Sequence, residues 1–584
     1  MFLTEKVKVT EIKKGDLIRS RDIELQEDCY REVLATMEPI VEDQIEIRSG
    51  EYSVCTSETH PMAIVKDGVE QYTETKNVSV NDIIITPEGY KKVDFVVKGN
   101  YDKNFIDFTV DKENNYYAGN DKDKLILAHN SATCYYPIWH LEIESLLVLK
   151  NNKGIDENRV RHMDYCVQFN KLFYERLINN ENITLFSPSD VPGLYESFFN
   201  DQDKFRELYE TAERNTRIRK KTISAVELFS MFMQERKDTG RIYLMNVDHC
   251  NKHSSFKEDI APIHMSNLCL EITLPTKPLN DINDEEGEIA LCTLSAINWG
   301  AFKKPEEMEK ACTLAVRGLD ALLSYQHYPV LAAKYATEKR RPLGIGIINF
   351  AYWLAKHNSK YTDPDLELVD TWAQHWSYYL IKASVDLAKD FGPCQGNNET
   401  KYSDGILPLD TRKKEVDELI KHTDKVDWTS LRKELKEFGI RNSTLMALMP
   451  AETSAQIANA TNGIEPPRNY VSVKQSKDGV LTQVVPEYRR LKNKYELLWN
   501  QRSPEGYLKI VAVLQKYIDQ TISANTSYNP QHFEDEQIPM SVLLGDILKA
   551  YSWGIKTLYY CNLNDGQGEV DVTYLDEQCD SCTI

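Results

Sequence analysis

The spacing of apolar residues changes character near residue 130, and no single fold class accommodates both sides of that change. Before it lie short β-branched or alternating runs, VKVTEI, QIEIRS, DIIIT, KVDFVVK, FIDFTV and KLILA, divided by Gly, Asn, Asp and Pro. Runs of that length fit a small all-β domain. After about residue 139 the periods lengthen. In EEMEKACTLAVRGLDALLSYQ, residues Met308, Ala311, Ala315, Leu319 and Leu322 recur at spacings of three and four, which predicts a helix with those side chains inward. LELVDTWAQHWSYYLIKASVDLAKDFG predicts a second long helix, stopped by Gly392 and Pro393. Between helices, RIYLMNV, LCLEITL, LGIGIINF and TLMALMP are short and almost wholly apolar, as buried strands are. The second segment is expected to be α/β. From about Asn564 the chain turns polar and acidic and ends in CDSCTI, which predicts a mobile tail.

The 584 residues are too many for one ordinary domain, and 41% hydrophobic content is enough for a sizeable core. Seventy Lys and Arg against 90 Asp and Glu give a net charge of −20, which argues against nucleic acid or an anionic membrane as the main partner. No apolar stretch approaches the ~20 residues of a membrane span, and MFLTEKVKVT lacks the layout of a signal peptide. The expected location is a cytoplasm. There the twelve cysteines read as thiols rather than as a disulfide framework.

The boundary carries chemistry of its own. In LILAHNSATC, His129-Asn130-Ser131 follows an apolar run. An asparagine amide can attack its own backbone carbonyl, forming a succinimide and cleaving the chain; a neighbouring histidine can move the proton, and a downstream hydroxyl can accept an acyl group. A second such tripeptide, His357-Asn358-Ser359, sits inside the helical LAKHNSKY, so the tripeptide alone decides nothing. Its surroundings do more: IKKGDLIRS, YSVCTSETHPM and FIDFTVDKENNYYAGN precede it in order. This ordered set resembles the intein family, whose fold is a β-horseshoe. The resemblance implies that His60 activates the upstream junction, Asp107 is the aspartate of the penultimate motif, His129 and Asn130 form the cleavage pair, and Ser131 is the downstream nucleophile. Two positions depart from the pattern: Ser57-Glu-Thr-His60 stands where Thr-x-x-His is usual, and Asn114 where a histidine is common. Met1-Phe2-Leu3 lacks the first Cys or Ser, so residues 1–130 are expected to be the C-terminal piece of a split intein, or to carry Met1 in place of the nucleophile.

In HMSNLCLEITLPT, Asn267, Cys269 and Glu271 alternate, and an extended segment would point all three to one side. Read alone, they fit a core cysteine with polar neighbours as well as a reactive thiol. Cys292 follows the apolar run of GEIALC, Tyr559-Tyr560 are adjacent in KTLYYCN, and Cys579 and Cys582 form a terminal CxxC. With no second CxxC to complete a tetrahedral metal site, thiol exchange suits that tail better.

From Ser131 onward the sequence resembles the large catalytic subunit of class Ia ribonucleotide reductase, through WHLEIESLLVLKNN, NRVRHMDY, TGRIYLMNVDHCN, SNLCLEITLPTKPLND, PLGIGIINFAYWLAKH, RNSTLMALMPAETSAQIANATNGIEPP and KTLYY. The resemblance implies part of a ten-stranded α/β barrel over 131–563, followed by a redox-active tail over 564–584. It implies a thiyl radical on Cys269, a proton acceptor in Glu271, a hydrogen-bonding Asn267, a reducing Cys292, a radical relay through Tyr559 and Tyr560, and re-reduction by Cys579 and Cys582. Substrate diphosphate is expected at Ala451, Glu452, Thr453 and Ser454, where a helix opens; Ala451 replaces a common serine. His249-Cys250-x-x-His253 looks metal-like, but in the family this run is structural, and no metal or other cofactor is assigned to this chain. The implied partners are the upstream polypeptide, a radical-generating, metal-containing small subunit, thioredoxin or glutaredoxin, ribonucleoside diphosphate, ATP or dNTP effectors and a second large subunit, in a bacterial or phage-infected cell. The competing expectation keeps the β domain as a binding or regulatory module, with the reductase pieces associating unspliced.

Overall fold

The computed structural model describes most of residues 17–564; outside it lie 1–16, 565–584 and short stretches between, among them 58–60, 100–106, 111–114 and 130–132. The chain divides into two compact units. One holds Met1–Ala132 with Lys277–Ile289 and His327–Tyr335; the other holds Thr133–Thr276, Ala290–Gln326 and Ala336–Ile584.

In the first unit, every strand pairing described is antiparallel. Leu17–Asp22, Glu27–Met37 and Asp107–Val110 form one sheet, and Tyr52–Ser57, Gln44–Ser49 and Phe95–Gly99 a second. A third has the order Asn115–Asp121, Lys124–His129, Pro61–Lys66, Ile83–Thr86, Gly89–Lys92, with Val69–Glu74 also paired to Pro61–Lys66. Met62 and Ile64, two residues apart and so on one face, bury with Ile47, Val78, Ile84 and Val93. Charged residues alternate with apolar ones along Gln44–Ser49, the pattern of a sheet with one face buried.

The second unit is built on parallel strands. Thr133–Pro137, Asp164–Phe169 and Ile242–Asn246 run parallel in that order, and the short Thr557–Leu558 strand closes antiparallel on the last. All five residues of Ile242–Asn246 are buried, which is why RIYLMNV has no polar alternation. A separate parallel run begins with Leu294–Asn298 and Gly344–Ile348 and continues through single bridges, Ile345 to Met446 and Leu448 to Ile522. TLMALMP therefore pairs as expected of a buried parallel segment, though only through bridges. The helix Leu366–Phe391 starts where Asp365 accepts from Leu368 N and ends at Gly392, which adopts φ +83°. The helix Glu309–Tyr325 buries Cys312, Val316 and Leu323, continuing from buried Met308, whereas Leu322 is exposed. The buried line runs through Met308, Cys312, Val316, Asp320 and Leu323; the expected Ala311, Ala315 and Leu319 flank it half-buried, and Leu322 falls off it by a single position.

LCLEITL departs from expectation. It forms no strand: Leu268–Leu270 is a tight turn with Leu270 at φ +64°.

Candidate active site

The turn gathers what an extended chain was expected to gather. Leu270 N donates to Asn267 O at 3.3 Å, and Asn267 Nδ2 donates to Glu271 Oε1 at 2.8 Å. The Asn267 Oδ1 atom also accepts from Ile272 N at 3.2 Å, so one amide ties the turn at both ends. A fully buried leucine with positive φ is strained by ~1 kcal/mol or more and persists only where its surroundings hold it. Here four carbonyls of the turn are anchored from outside. Tyr135 Oη donates to Asn267 O, Ser523 Oγ to Cys269 O, Thr557 Oγ1 to Leu270 O at 3.1 Å, and Thr521 N to Glu271 O at 3.1 Å. Ser523 Oγ also lies 3.1 Å from Glu271 Oε2.

Cys269 meets the paired tyrosines. Its Sγ lies 3.5 Å from Tyr559 Oη, which lies 2.7 Å from Tyr560 Oη. The two rings overlap at 3.8 Å between centroids, and Tyr243 packs on both, at 4.7 and 5.8 Å. The backbone of the pair is fixed: Tyr559 N donates to Ala524 O at 2.7 Å and Tyr560 N to Asn525 Oδ1 at 2.9 Å. Fully buried Arg236 donates to Tyr559 O at 2.7 Å, Tyr560 O at 3.2 Å and Ile242 O at 2.5 Å. Gly240 approaches the same segment closely. Its φ is +70°, a Cβ there would meet Cys561 O at 3.1 Å, and Cys561 N donates to Gly240 O at 3.0 Å.

Burial pushes the Glu271 carboxyl upward, against the hydrogen bonds from Asn267 and Ser523. The Cys269 thiol is also raised by burial, opposed by the Tyr559 hydroxyl. Cys292 is open to solvent on one side, yet desolvation and then the facing Glu271 carboxylate push its thiol to about 12. At neutral pH both cysteines are thiols, suited to giving up hydrogen atoms rather than to acting as thiolate nucleophiles. A thiol and two closely packed phenols at hydrogen-bond spacing can exchange an electron and a proton in short hops.

Other expected residues are placed differently. Ala451 precedes the helix Glu452–Ile457 and gives it no side-chain cap; its N–H donates to Asn462 Oδ1 at 2.8 Å, so that group is not open to a phosphate. Glu452 and Ser454 are exposed, and the side chain of Thr453 lies outside the described residues. His249 and His253 each use a ring nitrogen on a backbone carbonyl, Ile555 O at 3.1 Å and Gln515 O at 2.6 Å, which is a structural use. Among the described residues no group of three or more His, Cys, Asp or Glu is gathered for a metal ion, and no helix is long and apolar enough to cross a membrane. Asp107 opens one strand and His129 ends another in the first unit; His60, Asn130, Ser131, Cys579 and Cys582 lie outside the described residues.

Sequence reading missed Tyr135, Arg236, Tyr243 and Ser523. The sole signal for Arg236 was its inward phase on the helix Ala225–Thr239, which is unusual for an arginine. The serine and the tyrosines had none.

Residues 129–561 match the family model for the ribonucleotide reductase barrel domain. The chain is 61% identical over 450 residues to the ribonucleoside-diphosphate reductase subunit alpha of Haemophilus influenzae, covering 77% of this chain and 59% of that protein. To ribonucleoside-diphosphate reductase 1 subunit alpha of Escherichia coli it is 58% identical over 456 residues, covering 77% and 60%. To the alpha subunit of Enterobacteria phage T4 it is 48% identical over 457 residues, with the same coverage. The chain thus spans about three fifths of the length of the curated relatives it matches. With a match over most of its length, the chain belongs to the ribonucleotide reductase barrel-domain family.

Proposed function

We propose that residues 131–584 serve in the alpha subunit of a ribonucleoside-diphosphate reductase, with 131–563 as catalytic barrel and 564–584 as redox tail. The observation that carries the reading is the unbroken contact from Tyr560 through Tyr559 to Cys269, ending beside Asn267 and Glu271. In this reading Cys269, as a thiyl radical, takes the 3′ hydrogen of the ribose and becomes a thiol. Glu271 accepts the 3′-hydroxyl proton, and Asn267 hydrogen-bonds the substrate hydroxyls. The 2′-hydroxyl then leaves as water. Cys292 and an upstream thiol supply two electrons and two protons, one proton leaving with the water and one going to the 2′ carbon, and end as a disulfide; Cys269 returns its hydrogen to the 3′ carbon and Glu271 its proton to the 3′ oxygen. Cys579 and Cys582 reduce that disulfide and are themselves reduced by thioredoxin or glutaredoxin. The radical is supplied by a small subunit that carries the metal. Exposed Glu452 and Ser454, with Thr453 between them, are the proposed diphosphate site. ATP or dNTP effectors and a second large subunit belong to the complete enzyme, which works in the cytoplasm of a bacterial or phage-infected cell.

For residues 1–130 we propose intein sequence that is removed by splicing, which joins Ser131 to the upstream part of the reductase. What supports this is the ordered motif set ending at Asn130, in an all-antiparallel unit where Lys124–His129 neighbours Pro61–Lys66, with Ala128 opposite Met62. Co-expression with an upstream polypeptide tests both halves. Intact mass should show loss of residues 1–130 and a new bond to Ser131, abolished by Asn130→Ala. The joined product should form deoxynucleotides with the small subunit, and Cys269→Ser should not. Ligation that survives Asn130→Ala sinks the splicing reading, and turnover by Cys269→Ser sinks the radical one. A mass that keeps residues 1–130 would favour a retained binding module.

A further inference from the structure

Ser523 has one hydroxyl proton and two acceptors within the site. Its Oγ donates to Cys269 O and lies 3.1 Å from Glu271 Oε2. The residue is buried, and its backbone is fixed by the parallel run, with Ser523 N donating to Leu448 O at 2.9 Å. A hydroxyl is a single donor, so both contacts are hydrogen bonds at once only when Glu271 is protonated and itself donates to Ser523 Oγ. Once ionised, Glu271 Oε2 can only accept. A charge-assisted bond to the carboxylate is stronger than a neutral bond to a carbonyl, so the serine proton turns away from Cys269. Cys269 precedes Leu270, whose left-handed backbone depends on such anchors.

We propose that Ser523 is a positioning residue linking the charge of Glu271 to the anchoring of the Cys269 backbone: a neutral carboxyl leaves the turn clamped, an ionised one releases it. The proposal rests on the reductase reading, in which Glu271 takes the substrate proton while Cys269 exchanges a hydrogen atom. The proton that neutralises Glu271 is that same substrate proton, so the clamp closes as the substrate hydroxyl is deprotonated and needs no further reactant. The other ionisable groups facing Glu271 are Cys269 in the turn, Cys292 ahead of the Leu294–Asn298 strand, and Tyr135 on Thr133–Pro137. Burial raises all three, thiols and a phenol that already ionise far above a carboxyl, so Glu271 is the first of the four to change charge as pH rises.

The test compares Ser523→Ala, Ser523→Thr and the unaltered 584-residue chain. The rate at which 4,4′-dithiodipyridine modifies Cys269, located by peptide mass spectrometry, is followed from about pH 4 to about pH 8. In the unaltered chain the profile should break away from simple thiol ionisation where Glu271 loses its proton. In Ser523→Ala the acid-side rate should rise by about tenfold, because the clamp is gone at every pH. The break should also disappear, because without the hydroxyl the charge of Glu271 no longer reaches the Cys269 carbonyl. Ser523→Thr keeps the hydroxyl and should restore both. Superimposable profiles, or an equal change in Ser523→Thr, overturn the proposal. If Ser523→Ala does not fold, Glu271→Gln carries the test: it cannot ionise, and a break that persists there overturns the proposal equally. In the joined reductase the acid limb of kcat should change in Ser523→Ala and return in Ser523→Thr, while KM holds. Absence of turnover in the unaltered enzyme refutes the reductase reading and leaves the thiol profile to decide on Ser523.

Discussion

Replacing Arg236 with methionine removes the donor that holds the backbone of the paired tyrosines. Its guanidinium is fully buried, and its three shortest contacts to carbonyls are Ile242 at 2.5 Å, Tyr559 at 2.7 Å and Tyr560 at 3.2 Å, with Leu558 O farther off at 3.5 Å. Among the described residues no carboxylate pairs with it, and burial alone pushes its pKa down. Two terms of opposite sign therefore compete. A hydrogen bond to a charged donor contributes ~1.5 kcal/mol at the low end, so three are worth roughly 4–5 kcal/mol. Removing a desolvated cation returns part of that, since an apolar side chain of similar length costs nothing to bury. A net local loss of about 3 kcal/mol is expected, or roughly a hundredfold in the opening equilibrium of the segment.

The assay is native-state hydrogen exchange on the peptide spanning residues 557–563. Three of its amides report directly, because Tyr559 N, Tyr560 N and Cys561 N are bonded to Ala524 O, Asn525 Oδ1 and Gly240 O. They should exchange about a hundredfold faster in Arg236→Met, while amides of the helix Leu366–Phe391 keep their protection. Arg236→Lys keeps the charge but concentrates its donors on one atom, so an intermediate loss is expected. Unchanged protection of residues 557–563 in Arg236→Met would refute the reasoning, since it would mean that strand pairing alone fixes the tyrosines.

Two further outcomes follow from single close contacts. Gly506→Ala lies in the helix Glu505–Gln515, where propensity alone favours alanine by ~1 kcal/mol; but its Cβ would sit 1.8 Å from Tyr361 O, so a loss of at least about 3 kcal/mol in denaturant unfolding is expected, and a gain would refute the close approach. Burial raises Asp546 to about 6, so folding favours its neutral form, and the stability this gives is present in acid and lost as pH rises through about 6. Asp546→Asn keeps an acceptor for Tyr528 Oη and should melt higher than the unaltered chain near pH 8, by an equivalent of about 3 kcal/mol, with the difference shrinking to under about 1 kcal/mol near pH 4. A difference independent of pH would show that Asp546 does not titrate in this way.

Legibility in the sequence followed the range of the interaction that decides each feature. The helix Leu366–Phe391 was readable at both ends because its cap and its stop are local, Asp365 at one end and Gly392-Pro393 at the other. Ile242–Asn246 and Gly344–Ile348 were readable because burial on both faces leaves an apolar run without alternation. The same signal misled at LCLEITL, since an apolar run is equally compatible with a buried turn, and what selects the turn is not in the run. Leu270 can hold a positive φ only because anchors reach it from far along the chain. Tyr135 is 132 residues from the carbonyl it binds, Ser523 is 254, and Thr557 is 287. Cys269, Glu271 and the adjacent tyrosines stood out by residue type. Ser523 and Thr557 are common residues in ordinary surroundings, and no periodicity marks them. Their importance follows from the backbone they hold: a strained, buried turn carrying a thiol needs its carbonyls satisfied, and the fold meets that need with hydroxyls from three separate segments. The chemical groups of such a site are therefore easier to name from sequence than the groups that keep them in register, and it is the second set whose loss alters geometry while leaving every reactive atom in place.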